Sequence, residues 1–131
     1  MENNSIIIKN FVDIVLNQGV IDSVDQFVWD DGLGLHELKE ALRERRAAFP
    51  DMHWTIEEQI AEGDKVVTRF EWVGTHRAEY FNVAATGRSV KVRGVFIDHL
   101  EGGKIKKTFF IQDFLGLMMQ LGAFRWPQQK A

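Results

Sequence analysis

The chain contains no cysteine. Disulfides, thiolate nucleophiles and cysteine-ligated zinc are therefore excluded. No apolar run approaches the roughly 20 residues that span a bilayer. The start, Met1-Glu-Asn-Asn-Ser5, lacks the positive charge of a signal peptide, and Ile6 to Ile8 is too short for an export core. A cytoplasmic protein without a membrane partner is the expectation. Positive charge is also short, with a net charge of −3. That argues against nucleic acid as partner, because phosphate binding requires a basic surface. The four histidines, His36, His53, His76 and His99, are far apart and form no H-x-x-x-H pair. G-x-S-x-G, P-loop and dinucleotide fingerprints are missing, as are repeats, low-complexity tracts and linkers. Gly102-Gly103 and Gly32-Leu33-Gly34 read as turn glycines, not phosphate cradles.

What remains is an ordinary soluble composition over 131 residues, with 45% apolar and 27% charged residues. One domain with one core, spanning 1–131, fits that length. Ser5 can cap a first helix carrying Ile7, Phe11, Ile14 and Val15 at helical spacing, and Asn17-Gln-Gly19 can end it. A short second helix is expected over 22–28. A third is expected over 35–48, with Leu35, Leu38, Leu42 and Phe49 on one side and Pro50 as its stop. Arg43, Arg45 and Arg46 on this helix lie beside Glu37, Glu40 and Glu44, which predicts a solvated, salt-bridged face.

After Pro50 the apolar period changes to two. Met52, Trp54, Ile56 and Ile60 form one row, with Glu58 as its polar exception. Glu62-Gly-Asp64 turns into a second strand carrying Val66, Phe70 and Trp72. Residues 74–85 read as irregular, with a helical turn near Glu79 to Phe81. Thr86-Gly87 leads into a third strand over 88–100, Glu101-Gly-Gly103 into a fourth over 104–112, and 114–121 into a short final helix. A strand of 13 residues would be roughly 40 Å long at about 3.3 Å per residue. A sheet of such strands must bend to stay compact. Helices covering its concave face only partly would leave an apolar pocket. The expected class is α+β: a strongly curved, mainly antiparallel sheet of four to six strands, three N-terminal helices packed on it as a cone, and a short C-terminal helix.

The third strand has one apolar row: Val90, Val92, Gly94, Phe96, Asp98 and Leu100. Asp98 is its single charge. A carboxylate held among apolar side chains costs several kcal/mol unless paired or neutralised, so its pKa rises. A raised carboxylate is suited to general acid/base work; a position near the turn would instead leave it solvated. Gln112 shares a face with Phe110 and could bond a carbonyl ligand. Asp30 and Asp31 precede the third helix, and Asp113 stands where a strand meets a helix. These three are read as caps or catalytic carboxylates.

Several short pieces together resemble the SnoaL-like polyketide cyclases. They are Asn17-Gln-Gly19, Ala47-Ala-Phe-Pro-Asp51, Ala61-Glu-Gly-Asp64, Gly74-Thr-His76, Thr86-Gly87, Gly103-Lys-Ile105 and Asp113-Phe-Leu-Gly-Leu-Met-Met-Gln-Leu-Gly122. The resemblance implies the cone-shaped fold shared with ketosteroid isomerase and limonene epoxide hydrolase. It also implies ring closure by intramolecular aldol condensation without metal or cofactor. Counted without gaps, the family's acid falls at Phe110 and its partner at Phe96; the second aspartate matches Asp113 and the early histidine approximately Asp30. The missing carboxylate at 110 removes the epoxide-hydrolase reading. Three readings follow. The first is an enzyme on a flat apolar carbonyl substrate using Asp98, Asp30 or Asp113. The second is a ligand-binding protein. The third is a subunit or scaffold pairing through Val95 and Ile97, as a dimer or tetramer. Trp54, Trp72, Phe96, Phe110, Gln112, Tyr80 and Met118 are the candidate substrate contacts.

Overall fold

The computed structural model describes residues 3–30 and 34–125. Helix α1 (Asn4–Phe11) runs on as a wider π turn over Val12–Asn17. Its cap is Asn3 rather than Ser5: the Asn3 side chain accepts from the Ser5 amide at 2.9 Å. The expected second helix is a 3-10 segment, Ile21–Gln26, and α2 spans Leu35–Ala48 as the spacing predicts. Gly34 occupies the cap position of α2 without a side-chain bond. Asp31, the other candidate cap, and residues 32 and 33 lie outside the described residues.

Four strands follow: β1 (His53–Glu62), β2 (Lys65–Thr75), β3 (Ser89–Glu101) and β4 (Lys104–Gln112). They pair antiparallel in the order β1-β2-β3-β4. The α+β class is as expected, with four strands among the described residues. Helix α3 (Phe114–Gln120) closes the chain against β3.

Period two places Trp54, Phe70, Trp72, Val90, Val92 and Phe96 on the inner face, and all are buried. Beneath the helices they join Ile8, Val12, Val15 and Leu42 in one core. A bulge between Ile56 and Glu58 breaks the alternation in β1. One extra residue turns every later side chain to the opposite face. Glu58 therefore points out and pairs with Arg69 at 3.2 Å, Ile60 is exposed, and Gln59 turns inward to donate to Thr68 Oγ1. Gly94 lets β3 approach its neighbours closely: a Cβ there would fall on the Ile111 carbonyl and the Phe70 ring.

The motif pieces do mechanical work. Asn17 clamps the Trp54 backbone through both its oxygen (2.7 Å) and its nitrogen (3.0 Å). Asp51 accepts from the Thr75 amide and hydroxyl, both at 2.7 Å. The buried His76 ring accepts the Thr86 amide on Nδ1 at 3.2 Å. The region near residue 80 is a two-residue turn between Tyr80 and Val83 rather than a helical one. Phe81 and Asn82 both have positive φ, 48° and 65°.

Candidate functional site

Where β3 and β4 pair, Phe96 stands opposite Phe110 and Asp98 opposite Thr108. These even-numbered side chains face the helices. Phe11, Leu16, Leu38 and Leu42 pass over them, and Val28 and Ile105 close one side. Val28 is fixed there because the amide of Ile105 donates to the Phe27 carbonyl and that of Trp29 to the Ile105 carbonyl. The cavity, open on one side, is about 230 Å³. A cavity of about 150 Å³ holds benzene, so there is room for one or two fused rings.

The floor is aromatic. Phe96 and Phe110 lie 5.6 Å apart by ring centroid, and Phe70 stacks on Phe110 at 5.6 Å and 3°. Trp54 lies 5.9 Å from Phe96 and 6.3 Å from Phe110.

Asp98 and Arg45 break this apolar wall, and the exposed Lys106 and Lys107 border it. Asp98 is 3% exposed, not solvated by the nearby turn. Burial pushes its carboxyl up to about 6, only partly offset by the hydrogen bond from Thr108. Arg45 enters from α2 on the other side. Its guanidinium carbon lies 5.1 Å from the Phe110 centroid and 5.7 Å from that of Trp54. Its Nε is buried without an acceptor.

The expected salt-bridged face of α2 holds for Arg43, which pairs with Asp22 at 3.0 Å and Glu40 at 3.1 Å. Arg46 instead donates to the carbonyls of Leu16 and Asn17, closing the π turn. Arg45 was legible in principle. It falls between Leu42 and Phe49 on the apolar stripe of α2, where a charge is as anomalous as Asp98 is on β3. Thr108 could be found only from the register.

Of the other candidates, the cavity gathers Asp98, Phe96 and Phe110 alone. Trp54 underlies the floor. Trp72 is fully buried deeper in the core and donates to Gln112 Oε1 at 3.0 Å, which occupies Gln112 structurally. Tyr80 packs on Phe49 at 5.4 Å, at the far end of the cone. Met118 packs against the core from α3 and does not line the cavity. Asp113 caps α3, accepting from the Gly116 amide at 2.8 Å. Asp30 is exposed ahead of α2, beside a shallow depression bordered by Asp25, His36 and Lys39. Among the described residues, no three His, Asp or Glu side chains gather as metal ligands, and no helix is long and apolar enough to cross a membrane.

The fold of curved sheet and covering helices is matched by sequence. Residues 6–121 fit the family described as SnoaL-like polyketide cyclase. The chain belongs to that family. No curated protein sequence matches significantly. Among solved structures, TsrD from Streptomyces laurentii superposes with a TM-score of 0.84 at 24% identity, over 95% of this chain and 99% of that one. A candidate polyketide cyclase from Acidithiobacillus ferrooxidans gives 0.80 at 27%, over 91% and 94%. AclR, a candidate hydroxylase from Streptomyces galilaeus, gives 0.82 at 19%, over 93% and 97%. The SnoaL-like fold is thus shared by proteins described with different chemistries.

Proposed function

We propose that this SnoaL-like protein is a cofactor-independent acid/base enzyme acting on a flat, apolar, carbonyl-bearing substrate, with Asp98 as proton carrier. The observation that carries this is a buried carboxyl, raised to about 6, in the wall of an aromatic-floored cavity. Near neutral pH such a group is mostly ionised, yet it is a stronger base than a solvated carboxylate. In an aldol-type ring closure, Asp98 would take the proton from a carbon between two carbonyls. The resulting enolate carbon would attack a second carbonyl of the same molecule, and the new alkoxide would recover the proton from Asp98. The Phe96–Phe110 pair would hold the substrate flat and folded, supplying proximity rather than protons. In this assignment the acid sits on β3, two residues beyond Phe96.

The test needs no natural substrate. Exchange of the central C–H of 2-acetyl-1-tetralone, a two-ring 1,3-diketone, can be followed in D2O by NMR. Wild type should accelerate exchange about 100-fold or more, with a rate rising through pH 6. Asp98→Asn should bind the diketone but give only background exchange. Equal rates for the two proteins would remove Asp98 from the chemistry.

Non-catalytic binding is the second reading, favoured by the two phenylalanines at the positions where the family resemblance implies an acid and its partner. Self-association is compatible with either. On the outer sheet face Val95 pairs with Ile111 and Ile97 with Phe109, and Ile111 and Phe109 are 67% and 46% exposed. We read this apolar row as a pairing surface between two copies. Val95→Asp should then give a monomer by sedimentation; an unchanged oligomer would exclude the surface.

A further inference from the structure

The three arginines of α2 show which side chain is poised for something outside the protein. Arg43 is held by two carboxylates and Arg46 by two backbone carbonyls. Arg45 makes no ion pair or hydrogen bond among the described residues, and its Nε is buried and unpartnered. An N–H group left so is costly, and the faces of Trp54 and Phe110 compensate only the charge, not the hydrogen bond. The guanidinium also borders the same cavity as Asp98 without forming a salt bridge to it, although a carboxylate is the natural partner of an arginine. Both line the cavity, unpaired with each other. A planar donor stacked over aromatic rings presents its N–H edge in the plane of anything lying flat on the same floor.

We propose that Arg45 is the ligand-recognition residue of this cavity and that it selects a planar conjugated oxyanion, an enolate or an aryl carboxylate, on a one- or two-ring skeleton. This rests on the proposed ligand site and names the substrate class for it. The ligand's rings lie over Phe96 and Phe110, and its anionic oxygen meets Arg45. In an acid/base enzyme the same contact favours the enolate over the parent ketone, so Arg45 assists ionisation without moving a proton.

Calorimetric titration with three bicyclic probes tests this at pH 5, where Asp98 is mostly neutral. They are 2-hydroxy-1,4-naphthoquinone (an ionised enol), its neutral methyl ether, and 2-naphthoate. Wild type should bind the ionised quinone at least tenfold more tightly than the ether. Arg45→Met, which keeps much of the apolar stem, should lose that preference and leave the ether within about twofold; Arg45→Lys should restore it in part. Naphthoate binding as tightly as the ionised quinone marks a carboxylate ligand, and weaker binding marks an enolate; either supports the oxyanion class. Equal affinities for quinone and ether in wild type, or a preference that survives in Arg45→Met, overturn the assignment of Arg45 while leaving the cavity as a binding site. No saturable binding of any probe overturns the site and this inference with it. Near-ultraviolet circular dichroism of each variant verifies that the fold is intact.

Discussion

The two ends of the inner sheet face differ in how they treat their polar groups. At one end Phe49 packs against Trp72, His76 and Tyr80. Phe49 lies 5.0 Å from Trp72 and 5.3 Å from His76, and the Trp72 N–H is met by Gln112. At the other end Phe96 and Phe110 face an open volume of about 230 Å³, with Asp98 and Arg45 in its wall. Gly94, between them, lets Phe70 and the β4 backbone approach. At the packed end Trp72 and Gln112 satisfy each other and His76 Nδ1 accepts the Thr86 amide, while His76 Nε2 is buried without a partner. At the hollow end Asp98 and Arg45 line open space.

Truncation should separate the halves. Phe49→Ala removes a fully buried ring with contacts on every side and should cost about 3–5 kcal/mol. Phe96→Ala enlarges an existing void and should cost less, below about 3 kcal/mol, because its exposed edge has fewer contacts to lose. Urea denaturation of both variants measures this directly. Equal losses would mean that the hollow end is packed as tightly as the other. On binding the order should reverse: folded Phe96→Ala loses ligand affinity, whereas folded Phe49→Ala keeps it.

Much of the frame around both halves could be read in the sequence, because it is built from local rules. Helical spacing placed Leu35, Leu38 and Leu42 on α2, turn glycines ended the strands, and the short family pieces prove to be clamps such as Asn17 on Trp54 and Asp51 on Thr75. The bulge in β1 was not legible. Nothing in Glu57 or Glu58 announces an inserted residue, so the expected inward row ran on to Ile60, which is exposed. The hollow half was legible only as anomalies. Asp98 stood out as a lone charge in an apolar row. Arg45 occupied an equivalent place on α2 but was masked by the acidic residues around it, which suggested salt bridges. Trp72 and Gln112 share the inward row with the cavity residues, yet they satisfy each other in the core. Periodicity gives the face of a sheet but not how far the helices reach along it.

Asp98 bears the most weight, and its ionisation can be measured without any ligand. Its carboxyl stands at about 6 in the fold against an ordinary value of 3.8. The folded state therefore holds the proton longer than the unfolded chain. Stability falls as pH rises from below 4 through 6, by about 3 kcal/mol once both states are ionised. Asp98→Asn has no such dependence. The decisive experiment is urea unfolding of wild type and Asp98→Asn from pH 3 to pH 8. The stability gap should shift by about 3 kcal/mol in favour of the variant across that range, with most of the change between pH 4 and 6. A gap that stays constant with pH would place Asp98 as an ordinary solvated carboxylate and contradict the account of the site.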